Sequence, residues 1–453
     1  MTKSLFNGFE DVSSKQWKQK IQFDLKGADY NEALIYKSLE GIDIKPFYNQ
    51  EDIINIKNEV SHPSIWKNSV KITVDQASNS NLKALKEIKR GAESIHFIIY
   101  NEQIEPNELL LNIPSGVSVY LETNFLSSAY IQKLNEHAKQ TDLNIYVLTD
   151  IIGNLAKTGN WYDTLTTDHT QLDTIVANTN LKSTLSIDLG LYQNAGATMV
   201  QQLAYGLGHA NEYLHHFESS SMITLKNTIP VFKVAVGGNY FFEIAKLRAL
   251  RMLWSALATE YNALPQCYII AYPSHRNKTI LDYNVNMLRT TTECMSAVLG
   301  GADTVQNIPY DDIYHLENDF GTRISLNQLL ILKNESYFNL VSNPASGSYY
   351  IESLTNQIAE RALELFKNIE EGGGFLNQLK SGIIQKKIKE SAEKEQELFD
   401  NEKIILTGSN KYKNPEEHIP DFQKAVFPKK KIRKTLLSPI TTTRLTQKIE
   451  AIM

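Results

Sequence analysis

From about residue 92 onward, short β-branched or aromatic runs alternate with longer amphipathic runs. This alternation constrains the fold more than any other feature of the chain. The extended runs are Ser94–Tyr100, Val117–Leu121, Leu143–Leu148, Leu172–Ala177, Thr184–Leu189, Val231–Val236, Cys267–Ala271 and Thr304–Ile308. Helical periodicity follows several of them, over Ser128–Thr141, Ala195–His216, Tyr240–Tyr261 and Tyr283–Leu299. Within Phe241–Leu257, Ile244, Leu247, Leu250, Met252, Leu253 and Leu257 recur at helical spacing, with Lys246 and Arg248 between them. Strands that alternate with helices pack as a parallel sheet with crossover helices. A single uninterrupted series of such runs predicts an α/β fold of the TIM (β/α)₈ barrel type, and an open doubly wound sheet is the alternative.

The flanks read differently. The first ~60 residues look like an arm rather than a domain, because Trp17, Ile21, Phe23 and Leu25 are apolar anchors with no core of their own. Lys26-Gly27-Ala28-Asp29 reads as a turn, and Pro46 interrupts an extended piece from Gly41 to Tyr48. After residue 320 the pattern is mostly helical. A long helix from Asn356 to Glu371 is expected to end at Gly372-Gly373-Gly374, and Lys380–Phe399 reads as a charged amphipathic helix. From about Thr407 the chain is rich in Pro, Asn and Lys, with a basic run at Lys429-Lys430-Lys431-Ile432-Arg433-Lys434. The expected organisation is an arm over residues 1–60, a barrel with its helical extension over 61–410, and a basic tail over 411–453.

Composition excludes some classes. Hydrophobic residues make up 42% and charged residues 21%, with net charge −5, so the whole chain carries no nucleic-acid or membrane signature. The basic run is more readily a solvated tail or a subunit contact than a nucleic-acid site. Cys267 and Cys294 imply no disulfide framework and fit a reducing cytosol, so a cytoplasmic location is expected. The amino terminus lacks the apolar core of a signal peptide.

Chemical motifs are sparse. Gly190…Gly196 and Gly206…Gly208 lack the spacing of a dinucleotide or phosphate loop. His209, Glu212 and His216 would lie near one face of a helix, but a surface-lining helix is the plainer reading than a metal site. Asp150 closes an extended run, where barrel enzymes place catalytic groups, yet an N-cap is the simpler role. Asp168-His169 lacks the Asp-x-His-x-x-Gly pattern of cobalt ligation.

Several segments, in order, resemble the adenosylcobalamin-dependent acyl-CoA mutases, above all methylmalonyl-CoA mutase. They are Leu25–Tyr30 and Glu40–Tyr48 in the arm, Asn239–Trp254, Asn286–Glu293 with Gly300–Asp303, and Asn343–Thr355. The segment Asp188-Leu189-Gly190-Leu191-Tyr192-Gln193-Asn194-Ala195-Gly196-Ala197 also resembles that family. In catalytic members the three residues before this Gln are Tyr-His-Met, and the Tyr and His face the radical and the substrate carbonyl. Here those two places hold Gly190 and Leu191, whose side chains donate neither hydrogen bond nor proton.

The resemblance implies further losses. Where the family places an Arg and a Ser for the phosphates of the acyl-CoA, this sequence has Ile229 and Val231. Where it places a His and a Gln toward the substrate, this sequence has Ile270 and Tyr272. The segment around Lys71 matches one that carries another active-site tyrosine. No catalytic, substrate-binding or metal residue is therefore expected, and Leu191, Ile229, Val231 and Ile270 would suit a filled, dry barrel axis. Thr407–Asn410 resembles the close of the barrel module, and the ~45 residues beyond it are too few for a cobalamin-binding domain.

The resemblance thus implies the small (β) subunit of a heterodimeric mutase. Its large (α) subunit would be the partner, would hold the adenosylcobalamin, and would interconvert methylmalonyl-CoA and succinyl-CoA. The arm would wrap that partner over ~2,000 Å² or more. The alternatives are an active barrel working with a separate cobalamin-binding chain, and an acyl-CoA-binding regulatory protein without turnover.

Overall fold

The computed structural model describes residues 8–10, 12–53, 62–177, 180–219, 229–416, 419–427 and 433–452. Eight parallel strands form one sheet. In chain order they are β1 (Lys67–Val74), β2 (Ser94–Ile99), β3 (Ser118–Thr123), β4 (Asn144–Val147), β5 (Ser186–Asp188), β6 (Val231–Val236), β7 (Tyr268–Pro273) and β8 (Thr304–Gln306). Each pairs in parallel with its chain neighbour except β4 with β5, and β8 returns to β1 with Thr304 opposite Lys67. Between β4 and β5 a parallel bridge from Tyr146 to Ser183 closes the ring. The fold is a TIM barrel, as the alternation predicts, and the open-sheet alternative falls.

One member of the predicted series is misplaced. Leu172–Ala177 is not a strand but the end of the helix Leu165–Ala177, which buries Leu172, Ile175 and Val176 at helical spacing. The missing strand is β1, whose side chains alternate by face. Val70, Ile72 and Val74 join an apolar cluster with residues of β2 and β3, while Lys71 reaches an ion-pair partner beyond β8.

The predicted helix Ala195–His216 starts and ends later than expected. A short helix, Leu189–Asn194, ends before Gly196 (φ +99°), and a second runs Met199–Ser219. A Cβ on Gly196 would lie 2.5 Å from the Cβ of Ala392, so both the backbone conformation and the close approach require glycine.

The segments that match the mutases wire these elements together. Glu40 of the arm accepts the Met199 and Val200 amides, each at 2.8 Å, and so caps the helix Met199–Ser219. In the helix Tyr240–Glu260, Lys246 pairs with Glu243 at 2.6 Å, both fully buried. Arg248 reaches Glu352 at 2.6 Å and Asn343 at 2.7 Å, while Arg251 reaches Asp303 at 2.6 Å and the Gly301 carbonyl at 2.7 Å.

The arm's helix Ser14–Asp24 buries none of its residues. Phe9, Trp17 and Phe23 are 77%, 51% and 79% exposed. At the other end of the chain, residues 435–446 do not trail into solvent. They run across the carboxyl ends of the strands, with Leu437 N on Gly159 O, Ile440 N on Ala156 O, Thr443 N on Asn194 O and Leu445 N on Arg276 O. Of the basic run, Lys429–Ile432 lie outside the described residues, and Arg433 donates to the Thr158 carbonyl. Among the described residues no helix is long and apolar enough to cross a membrane.

Candidate functional site at the barrel mouth

In a barrel of this kind, side chains of alternate residues on each strand point to the axis, and ligand-facing groups stand at the carboxyl ends of the strands. The base of the axis is filled by Tyr120, Tyr146, Leu148, Val231 and Ile270, with Tyr268 packed against them. Tyr120 and Tyr146 stack at 4.6 Å between ring centroids, and the Tyr120 hydroxyl meets Thr304 Oγ1 at 2.8 Å. Burial raises the Tyr120 hydroxyl pKa, which keeps it a neutral partner. Val231 and Ile270 therefore sit in a plug of rings and aliphatic groups. Ile229 is half-buried ahead of β6 and outside that plug.

Above the plug the axis is charged, which corrects the expectation of a dry core throughout. Lys233 projects inward from β6 and is 8% exposed. Its Nζ lies 2.7 Å from Glu122 Oε2 on β3 and 3.1 Å from Asp188 Oδ2 on β5. His96 of β2 stands 3.3 Å from Glu122 and 2.6 Å from Gln306 Oε1. Burial alone would raise the Glu122 carboxyl, but Lys233 and His96 outweigh it and hold the pKa well below the usual range. Burial likewise opposes the Lys233 charge and is overcome by Asp188 and Glu122. Lys233 serves both carboxylates as counterion, which leaves the triad one negative charge in surplus. The sequence signal was the lone lysine in the apolar run Val231–Val236, which the reading of that run passed over.

Gly190 and Tyr272 prove to be one feature. A Cβ built on Gly190 would lie 1.8 Å from the Tyr272 hydroxyl oxygen and 2.7 Å from its Cζ. The hydroxyl thus occupies the volume from which any side chain at 190 would have to grow. Burial and the neighbouring Asp188 carboxylate, which accepts from the hydroxyl, keep the phenol protonated. Leu191 is buried, 7% exposed, and joins the main core. Lys71 stands apart from these residues, 3.7 Å from Asp312.

Asp150 caps the helix Ile151–Thr158 by accepting the Gly153 amide at 2.7 Å. It also accepts from Tyr213 and lies 2.8 Å from His209 Nε2. Burial favours its neutral form, but His209 and these hydrogen bonds prevail and lower its pKa. The three residues considered as a metal set go to separate partners. His209 meets Asp150, Glu212 accepts the Leu376 amide, and His216 meets Asp173. Asp168 accepts the Tyr162 and Asp163 amides.

A cavity of about 190 Å³ remains at the mouth, between Glu122, Asp188, Gly190, Lys233 and Tyr272, with Thr442 on its outer wall. Small-molecule and cofactor sites usually span ~300–1,000 Å³. The described residues on this face therefore offer a corrin ring no fitting bed, and no chemical step is derived through one.

A closed parallel barrel with its polar groups gathered at the carboxyl ends of the strands is the frame of a barrel enzyme, here with its axis plugged. A sequence profile for methylmalonyl-CoA mutase matches residues 109–453. The chain belongs to the methylmalonyl-CoA mutase family. It is 31% identical to the methylmalonyl-CoA mutase small subunit of Porphyromonas gingivalis, over 90% of this chain and 71% of that one. A methylmalonyl-CoA mutase of Cereibacter sphaeroides is 27% identical over 90% of this chain and 65% of its own length. The Porphyromonas gingivalis large subunit is 32% identical over 52% of this chain and 34% of its own. The chain thus spans from about a third to under three quarters of these relatives' lengths.

Proposed function

We propose that this chain is a non-catalytic small subunit of a methylmalonyl-CoA mutase. In that reading the large subunit binds adenosylcobalamin and interconverts methylmalonyl-CoA and succinyl-CoA in a cytoplasmic complex, and this chain stabilises it. The observation that carries the proposal is the pairing of Gly190 with Tyr272, together with Leu191 in the main core. At the places where the resemblance puts a Tyr and a His, neither side chain can donate a proton, and the Tyr272 ring leaves no room for a side chain at 190. Two further observations support it. The axis is plugged at its base by rings, which also counts against an acyl-CoA-binding protein. The arm presents exposed aromatic side chains that a partner surface would cover.

The test is a mutase assay with adenosylcobalamin on three samples: this chain, the large subunit, and the two co-expressed. Activity only where the large subunit is present, and higher or longer-lived with this chain added, is the expected result. Turnover by this chain alone, or with only a free cobalamin-binding chain, overturns the proposal.

A further inference from the structure

A second cavity, of about 230 Å³, lies at the same end of the barrel but away from the axis. Its charge balance is unusual. Asp312, in the segment after β8, is met from three elements at once. His275 Nε2, after β7, lies 2.8 Å from it, Lys424 Nζ 3.5 Å, and Lys71 Nζ, from β1, 3.7 Å. His275 and Lys424 line the cavity with Asp312, and Lys71 meets Asp312 from outside that lining. The two arginines that line it already have counterions: Arg276 pairs with Glu395 at 2.5 Å and Arg444 with Glu450 at 2.5 Å. One carboxylate thus serves two lysines and an imidazole. The surplus is one positive charge with His275 neutral and two with it protonated. Neither lysine sits at ideal hydrogen-bonding distance from Asp312, so both ammonium groups keep donors to spare. Two ammonium groups and an imidazole that converge beside an open volume form an electrostatic trap for an anion.

We propose that this corner of the barrel mouth binds a compact dianion, a phosphate or dicarboxylate group, against His275 and Lys424, with the Lys71 charge adding to the attraction from across Asp312. The ligand would also tie the carboxyl-terminal segment to the barrel, because Lys424 comes from that segment and His275 from the loop after β7. The inference does not depend on whether the chain is catalytic.

Isothermal titration of the full chain with inorganic phosphate, and separately with malonate, at ionic strength fixed with sodium chloride, tests it. At least one of the two should bind saturably at one site, with a Kd on the order of 1 mM or below. Lys424→Gln should weaken binding by roughly tenfold, the loss expected for one charge-assisted contact, and Lys71→Gln should weaken it as well by removing the surplus charge beside Asp312. Lys424→Arg should retain binding, and Lys133→Gln, on the helix Ser128–Gln140 and not among the lining residues, should leave it unchanged. Both substituted side chains are about a third exposed, so the variants should fold, which unchanged melting temperatures without ligand would confirm. Binding of phosphate alone points to a phosphorylated ligand, and of malonate alone to a dicarboxylate. The proposal is overturned if neither binds saturably below ~10 mM, or if binding is indifferent to both glutamine substitutions.

Discussion

Gly190→Ala should destabilise this protein, although the same change in an ordinary helix stabilises it. Gly190 lies in the first turn of the helix Leu189–Asn194 and has no left-handed backbone. On propensity alone alanine would gain ~1 kcal/mol. The new methyl group, however, would be 1.8 Å from the Tyr272 hydroxyl and 2.7 Å from Cζ, so the ring must move. Overpacking of this kind costs ~1–3 kcal/mol. Moving the hydroxyl off the Asp188 carboxylate costs a further ~1.5–3 kcal/mol, the worth of a hydrogen bond to a charged group. The net loss is ~2–5 kcal/mol after the propensity gain is subtracted. Tyr272→Leu removes both the hydroxyl and the ring end. In that background Gly190→Ala should be neutral or stabilising by up to ~1 kcal/mol. Urea unfolding of the four proteins closes the cycle and should give a coupling of ~2–6 kcal/mol. A cost below ~0.5 kcal/mol for Gly190→Ala alone, or an equal cost in both backgrounds, would refute the steric argument.

The axial ion triad gives a second prediction. Lys233→Met leaves Glu122 and Asp188 facing each other without a cation and should cost ~3–5 kcal/mol near neutral pH. The pH dependence should reverse too. The depressed Glu122 pKa contributes stability above the usual carboxyl value of 4.5, and that contribution fades as pH falls below it. In Lys233→Met the carboxylates bind protons more readily folded than unfolded, so melting temperature should rise from pH 8 to pH 5, and a fall over that range would count against the reading. Arg248→Ala strands the Glu352 carboxylate and should cost ~3–5 kcal/mol by urea midpoint; a loss under ~1 kcal/mol would mean that the matching segments are not structural ties. Trp17→Ala with Phe23→Ala should change this chain's own stability by less than ~0.5 kcal/mol, yet weaken association with the large subunit tenfold or more; unchanged association would remove the arm from the interface.

Much of the barrel was legible because its helices repeat apolar residues at helical spacing and several strands are β-branched throughout. The errors have specific physical origins. Leu172–Ala177 ends in a β-branched stretch, but Leu172, Ile175 and Val176 also fit one helical face, and tertiary packing selects that reading. β1 alternates polar and apolar residues, as a strand does when one face meets a polar barrel interior, and its lysines disguise it. At the mouth, resemblance singled out Gly190 and Tyr272 separately, but only coordinates show that one fills the other's space. The ion triad spans β3, β5 and β6, so no local pattern predicts it. The terminal segment looked like a solvated tail because its lysines dominate the composition, whereas Leu437, Ile440 and Leu445 bury themselves against the barrel.

The segments that match the family and the positions that depart from it make different kinds of contact. Matching residues tie element to element: Glu40 to the helix Met199–Ser219, Arg248 to Glu352, and Arg251 to Asp303. Departing residues at the mouth and axis are satisfied by one another. Tyr272 takes the space beside Gly190, and Val231 and Ile270 close on tyrosine rings. Lys233, which no family match singled out, gives Glu122 and Asp188 the counterion that a buried carboxylate pair needs. A barrel that relies on a bound ligand for its axial charges is strained when empty, because desolvated charges without partners cost several kcal/mol. This one gives its two axial carboxylates a shared counterion from within the chain, in Lys233.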